Sequence, residues 1–338
     1  MATTQIGSIG DLSLERGGTL KDAKLAYVTY GKLAPDGKNA LLVTHGYTSS
    51  HLFIDGGASA SEGSWSELAG PGKPIDTDKY FVVSTNMLGS AFGSTAPRSP
   101  NPATGRPYGA DFPAITVPDI VAAQKRLLDQ LGVRGLVAVV GPSYGGFQAF
   151  TWGIQYPGFM KGLVPVVTGL KRPPQADPDA TLRKLSADPN WNGGHYYDKG
   201  GILKTMIALR EDTLRGYGVD DELRPRMPDK AARDAEILRQ ARAWAEAFDG
   251  NSLLALGRAM DSYDVTPDLK KVKARVLFVL SRTDKLFPPS IAPSVMSALK
   301  AAGVGARYEE IDSEHGHLAS GTDAAKWAPA LKSFLQSL

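Results

Sequence analysis

No cysteine occurs among the 338 residues, which removes disulfides, Cys-ligated zinc and a thiol nucleophile from consideration. Long runs of one charge are also missing, and 38 basic residues stand against 35 acidic ones for a net charge of +3. Such a balance gives no electrostatic footprint for nucleic acid or another polyanion, so no nucleic-acid partner is expected. No apolar run approaches the roughly 18 residues that a membrane-spanning helix requires, and no membrane partner is expected. The stretch from Met1 to Gly7 lacks the basic-then-apolar order of a secretory leader. A cytoplasmic location is therefore expected, with a leader removed ahead of Met1 as the alternative; the missing cysteines fit either compartment.

What is present reads as a soluble globular protein. With 42% hydrophobic residues the chain can bury a sizeable core without a metal or disulfide to hold it. Short β-branched apolar segments recur at Leu41 to Thr44, Phe81 to Ser84, Leu136 to Val140, Leu163 to Val167 and Val276 to Leu280. Apolarity over some five consecutive residues predicts strands buried on both faces, hence a mostly parallel sheet. Arg307 to Ile311 reads as an edge or final strand, and Lys24 to Tyr30, more alternating, as part of an initial antiparallel pair. Helix-period stripes lie between them, at Asp119 to Leu131 and over Trp327, Leu331, Phe334, Leu335 and Leu338. Strand–helix alternation of this kind predicts a doubly wound α/β layer.

From about Lys171 to Asp264 the pattern breaks into proline-rich turns and helix-like stretches, Ala231 to Phe248 and Ser252 to Met260. We read 1–170 and 265–338 as an α/β core and 171–264 as an inserted helical cap.

The most informative stretch is Val139-Val140-Gly141-Pro142-Ser143-Tyr144-Gly145-Gly146. It carries G-x-S-x-G between an apolar strand and a helix, the setting in which a serine hydroxyl is exposed on a strained turn. Glycines are needed there because the backbone crowds itself. A serine needs a base, and only His45, His51, His195, His315 and His317 exist. In the α/β-hydrolases, whose nucleophile motif this stretch resembles, the acid and then the histidine follow the serine in the chain, which admits His315 or His317 in Ser313-Glu314-His315-Gly316-His317. Asp284, shortly after the strand ending at Leu280, is the expected acid, with Asp312 and Glu314 as weaker alternatives. An oxyanion hole requires two backbone donors. The amide of Tyr144 and that of Tyr47, in Thr44-His45-Gly46-Tyr47-Thr48, are the candidates. No metal site and no resident cofactor are predicted.

Beyond the triad, the sequence resembles the homoserine O-acetyltransferase family from about Lys24 to the C-terminus. Asn86 to Pro97, Asn101 to Pro113, Ala187 to Tyr197, Phe248 to Ser252 with Arg258 to Asp261, Ser281 to Pro289, and Gly316-His317 are all similar to family segments. The resemblance implies the α/β-hydrolase fold and selects His317 as the base over His315. It also implies Arg183 as a carboxylate-binding arginine. The elbow departs from the family's Gly-Gly-Ser-Met-Gly-Gly, and Leu318 stands where the family has an aspartate that holds the homoserine amine.

Replacing that aspartate with leucine shifts the expectation to an esterase that hydrolyses a small carboxylic ester through an acyl-enzyme. The alternative is an O-acyltransferase moving acetyl from acetyl-CoA, then a co-substrate, to a small homoserine-like alcohol. A third reading is a non-catalytic binding protein of the same fold, which the complete Ser143, Asp284 and His317 set argues against. A small-molecule ester is the expected partner, and a homodimer is compatible with the sequence.

Overall fold

The computed structural model describes residues 3–55 and 64–338, so Met1 and Ala2, at the head of the stretch read for a leader, lie outside the described residues. Eight strands form the main sheet: β1 (Gln5–Ser13), β2 (Thr19–Tyr30), β3 (Ala40–Val43), β4 (Phe81–Thr85), β5 (Leu136–Pro142), β6 (Met160–Val166), β7 (Arg275–Ser281) and β8 (Ala306–Ile311). Their spatial order is β1-β2-β4-β3-β5-β6-β7-β8. The six strands from β4 to β8 in that order are mutually parallel, and β1 and β2 are antiparallel additions at one edge. The chain therefore has the α/β-hydrolase fold class that the sequence predicts.

The unbroken apolar runs arise because successive side chains feed two different cores. Leu42, Val139, Phe278 and Leu280 pack into one, beneath α1 (Val117–Gln130) and α2 (Tyr144–Gln155). Leu41, Val43, Ala138, Val140, Leu277 and Val279 face the other, closed by Trp327, Leu331 and Phe334 of the C-terminal helix. A capping box starts α1: the Thr116 hydroxyl accepts from the Asp119 amide, and the Asp119 carboxylate accepts from the Thr116 amide.

Between β6 and β7 the chain runs through five helices: α3 (Ala180–Ser186), α4 (Leu203–Gly216), α5 (Val219–Leu223), α6 (Lys230–Ala247) and α7 (Gly250–Ala259). The expected helices at Ala231 and Ser252 correspond to α6 and α7. The sequence reading did not resolve α3, α4 and α5. Where this segment leaves and rejoins the core, Lys171 bridges Asp264, with Arg172 N donating to Tyr263 O at 3.1 Å and Val265 N to Leu170 O at 2.9 Å. Among the described residues no helix is long and apolar enough to cross a membrane.

Candidate active site

β5 runs directly into Ser143, and α2 begins at the next residue. Ser143 has φ 55° and ψ −119°, a conformation that non-glycine residues adopt only where their surroundings impose it. Two threonines supply the constraint. Thr44 Oγ1 donates to Gly145 O at 2.9 Å, and Thr168 Oγ1 donates to Ser143 O at 2.8 Å. A Cβ on Gly141 would run into Thr44 Oγ1, one on Gly145 would lie 2.7 Å from the Thr44 carbonyl oxygen, and one on Gly146 would strike Thr168. The glycines of the motif are therefore the space these threonines occupy.

The loop after β7 presents Asp284, and a short turn after β8, Gly316–Leu318, presents His317. His317 Nδ1 lies 2.8 Å from Asp284 Oδ2, and its Nε2 lies 2.9 Å from Ser143 Oγ. The carboxylate can only accept, so the imidazole carries its proton on Nδ1 and leaves Nε2 free to accept from the serine hydroxyl. Asp284 Oδ1 accepts from the amides of Leu286 and Phe287, which fixes the carboxylate. Both Asp284 and His317 are buried. Thr283 Oγ1 joins the two loops by donating to Ser313 O and accepting from Gly316 N. The imidazole neighbours the rings of Phe287, 6.0 Å away, and Tyr217, 5.5 Å away.

Neither weaker alternative for the acid reaches the base, because Asp312 and Glu314 both pair with Arg282 at the surface. His315 serves the turn instead, its amide donating to Ser313 Oγ. The structure thus brings together Ser143, Asp284 and His317, the three residues that the sequence singles out.

Tyr144 opens α2, where a first-turn amide has no partner within the helix. Among the described residues, neither its amide nor that of Tyr47 donates to a protein acceptor. The loop carrying Tyr47 is held from several sides. Gln148 Nε2 donates to His45 O at 3.2 Å, and the Met87 amide donates to His45 Nε2 at 3.2 Å. Trp244 Nε1 donates to Thr48 O at 2.9 Å, and Arg210 Nη1 to Thr48 Oγ1 at 3.0 Å.

Burial pushes His45 down to about 4. It does the same for His51, also to about 4, with a smaller push from neighbouring His45. Unfolded histidines, with pKa near 6.5, take up protons that these folded ones refuse, so their contribution to stability should be constant above about pH 7. It should then fall as pH drops from about 6.5 toward 4, by at most roughly 3 kcal/mol per histidine. Denaturant midpoints across that range test this; a midpoint unchanged down to pH 4 would mean that neither histidine is kept neutral by the fold.

The two residues expected to bind substrate have different surroundings. Leu318 is buried next to His317, its amide donating to His315 O at 2.9 Å. Arg183 lies at the surface of the inserted segment. It sits on α3 with a side chain 61% exposed and pairs with Asp177. Arg210, buried on α4 and stacked over Trp244 at 4.8 Å, reaches the loop that carries Tyr47. Sequence reasoning missed it because α4 itself was not recognised, and one arginine among several charged residues carries no local signal. Among the described residues no group of three or more His, Asp or Glu side chains is arranged to hold a metal.

Comparison with known proteins shows the family and the fold. The family described as alpha/beta hydrolase fold matches residues 39–324. A homoserine O-succinyltransferase of Comamonas testosteroni is 36% identical, covering 97% of this chain and 93% of its own. A homoserine O-acetyltransferase of Moorella thermoacetica is 37% identical, covering 97% and 94%. Among solved structures, esterase E22 superposes with a TM-score of 0.86 at 27% identity, covering 99% of this chain and all of its own. A leucine-to-aspartate mutant of that esterase superposes equally well.

Proposed function

Because this chain belongs to the α/β-hydrolase family and, within it, to the homoserine O-acyltransferase group, we propose that Ser143, His317 and Asp284 carry its acyl-transfer chemistry and that water is the final acceptor. Acyl transfer is common to the named relatives; the finer reading is a small-ester hydrolase.

In that reading Ser143 Oγ attacks the ester carbonyl while its proton passes to His317 Nε2. The carbonyl oxygen becomes an oxyanion, met by the amides of Tyr47 and Tyr144. Collapse expels the alcohol, which takes the proton back from His317, and an acyl-serine remains. Water then gives a proton to His317 and attacks the acyl carbon, releasing the acid and restoring the Ser143 hydroxyl. Asp284 holds the tautomer and stabilises the imidazolium that forms twice per cycle. No cofactor is required.

The observation that carries hydrolysis over transfer is Leu318. Where the family resemblance implies an aspartate for the acceptor's ammonium, this chain buries an apolar side chain next to the base. A buried, unpaired ammonium costs several kcal/mol, roughly a loss of orders of magnitude in acceptor affinity. The curated relatives, however, are named as transferases, one of succinyl and one of acetyl groups, and favour acyl transfer to homoserine more directly than hydrolysis.

One matched assay decides between them: p-nitrophenyl acetate and butyrate hydrolysis beside acetyl-CoA consumption, with and without homoserine. Ester hydrolysis with no homoserine-dependent release of CoA is the expected result, and Leu318→Asp is expected to introduce weak homoserine dependence. Robust acetyl transfer to homoserine by the unaltered protein would replace the hydrolytic reading with the transferase one.

A further inference from the structure

The two residues whose amides meet the oxyanion also share a second property, one that their backbone role does not require. Their side chains reach the same helix of the inserted segment. Tyr47 Oη donates to Leu253 O at 2.5 Å, and Tyr144 Oη donates to Leu256 O at 3.2 Å, both on α7. The two rings meet edge to face with centroids 6.2 Å apart, so the pair forms one unit against the helix.

α7 is a firm surface to be tied to. Its N-cap Asp249 is buried and accepts from Ser252 N at 3.0 Å, from Tyr196 Oη at 2.5 Å and from Tyr197 Oη at 3.3 Å. The helix leaves room for Tyr47 at one residue only just wide enough, since a Cβ on Gly257 would lie 2.9 Å from Tyr47 Oη. Gly257 is a helix-interior glycine without positive φ, so the backbone does not ask for it. The close approach of the phenol does.

We infer that Tyr47 and Tyr144 are positioning residues which, through their phenols, set the two oxyanion amides against α7. The inserted segment thereby fixes the spacing of the oxyanion hole as well as covering the site. This rests on the proposed role of those amides. It also gives the elbow residue a function in this chain that a methionine, usual at that place in the family it resembles, cannot supply, because a thioether has no hydroxyl to donate.

Two variants shift Tyr47 by opposite means. Tyr47→Phe removes the hydroxyl; Gly257→Ala keeps it but drives a Cβ into it, while alanine is itself a better helix former than glycine. Each is expected to lower kcat about tenfold, less than the hundredfold or more lost when an oxyanion donor is removed outright. KM should stay within about twofold, because the effect is on the transition state. The affinity of an alkyl boronic acid, which forms a tetrahedral adduct on Ser143, should fall by the same factor as kcat. Tyr144→Phe should act in the same direction. In the double variant Tyr47→Phe/Gly257→Ala the methyl no longer meets a hydroxyl, so its loss should match that of Tyr47→Phe alone.

Unchanged kcat and boronate affinity in both single variants, with Ser143 still labelled by a fluorophosphonate, would overturn the inference and leave the nucleophile assignment standing. Fully additive losses in the double variant would also overturn it. Failure of the unaltered protein to be labelled at Ser143 would instead remove the reading on which it rests.

Discussion

Ser143→Ala should lower acyl turnover by roughly four to six orders of magnitude, the loss seen when a triad nucleophile is removed while the oxyanion site remains. The substitution deletes one oxygen, the partner of His317 Nε2 at 2.9 Å, and no backbone contact. The elbow is held by bonds that do not involve that oxygen: Ser143 N donates to Val166 O, and Ser143 O accepts from Thr168. The folded structure should therefore survive, so a loss of activity reads on chemistry. Fluorophosphonate labelling should disappear together with turnover. A label that persists in Ser143→Ala would place the nucleophile elsewhere.

His317→Ala should cost nearly as much, whereas His315→Ala should keep activity within about threefold. The two histidines are separated by one glycine, yet only His317 spans Ser143 and Asp284. Serine attack requires Nε2 unprotonated, so the unaltered enzyme should lose kcat/KM on the acid side as the imidazole takes up a proton. Equal damage from the two substitutions would mean that the turn after β8 is read in the wrong register.

The turn at Ser143 was legible in the sequence because its demands are local. Gly141, Gly145 and Gly146 are dictated by the tight turn and the threonines pressed against it, and both leave a pattern within six residues. The strands were legible for a similar reason, since side chains alternating between two cores, Leu41 against Leu42 or Leu277 against Phe278, leave an unbroken apolar run. The inserted segment was less legible. α4 has buried residues at Met206, Ile207, Arg210 and Leu214, and a buried arginine on that face blurs the apolar stripe. Arg183 and Arg210 could not be ranked from the sequence because what separates them is burial against Thr48 and Trp244, residues far away in the chain. The phenol contacts of Tyr47 and Tyr144 were hidden likewise, because the helix that receives them is over a hundred residues away in either case.

The paired crossing at Lys171 and Asp264 brings the first and last residues of a long excursion to within one hydrogen-bonded bridge of each other. For the sheet, that excursion is thermodynamically close to a tight turn: its ends are fixed at the same spacing whatever lies between them, and loop-closure entropy grows only slowly with length. Lengthening, shortening or exchanging the intervening helices should therefore cost the sheet little. The exchange is not free for catalysis, however. A grafted replacement must still offer two carbonyls where Leu253 and Leu256 now stand, or the hydroxyls of Tyr47 and Tyr144 lose their seats.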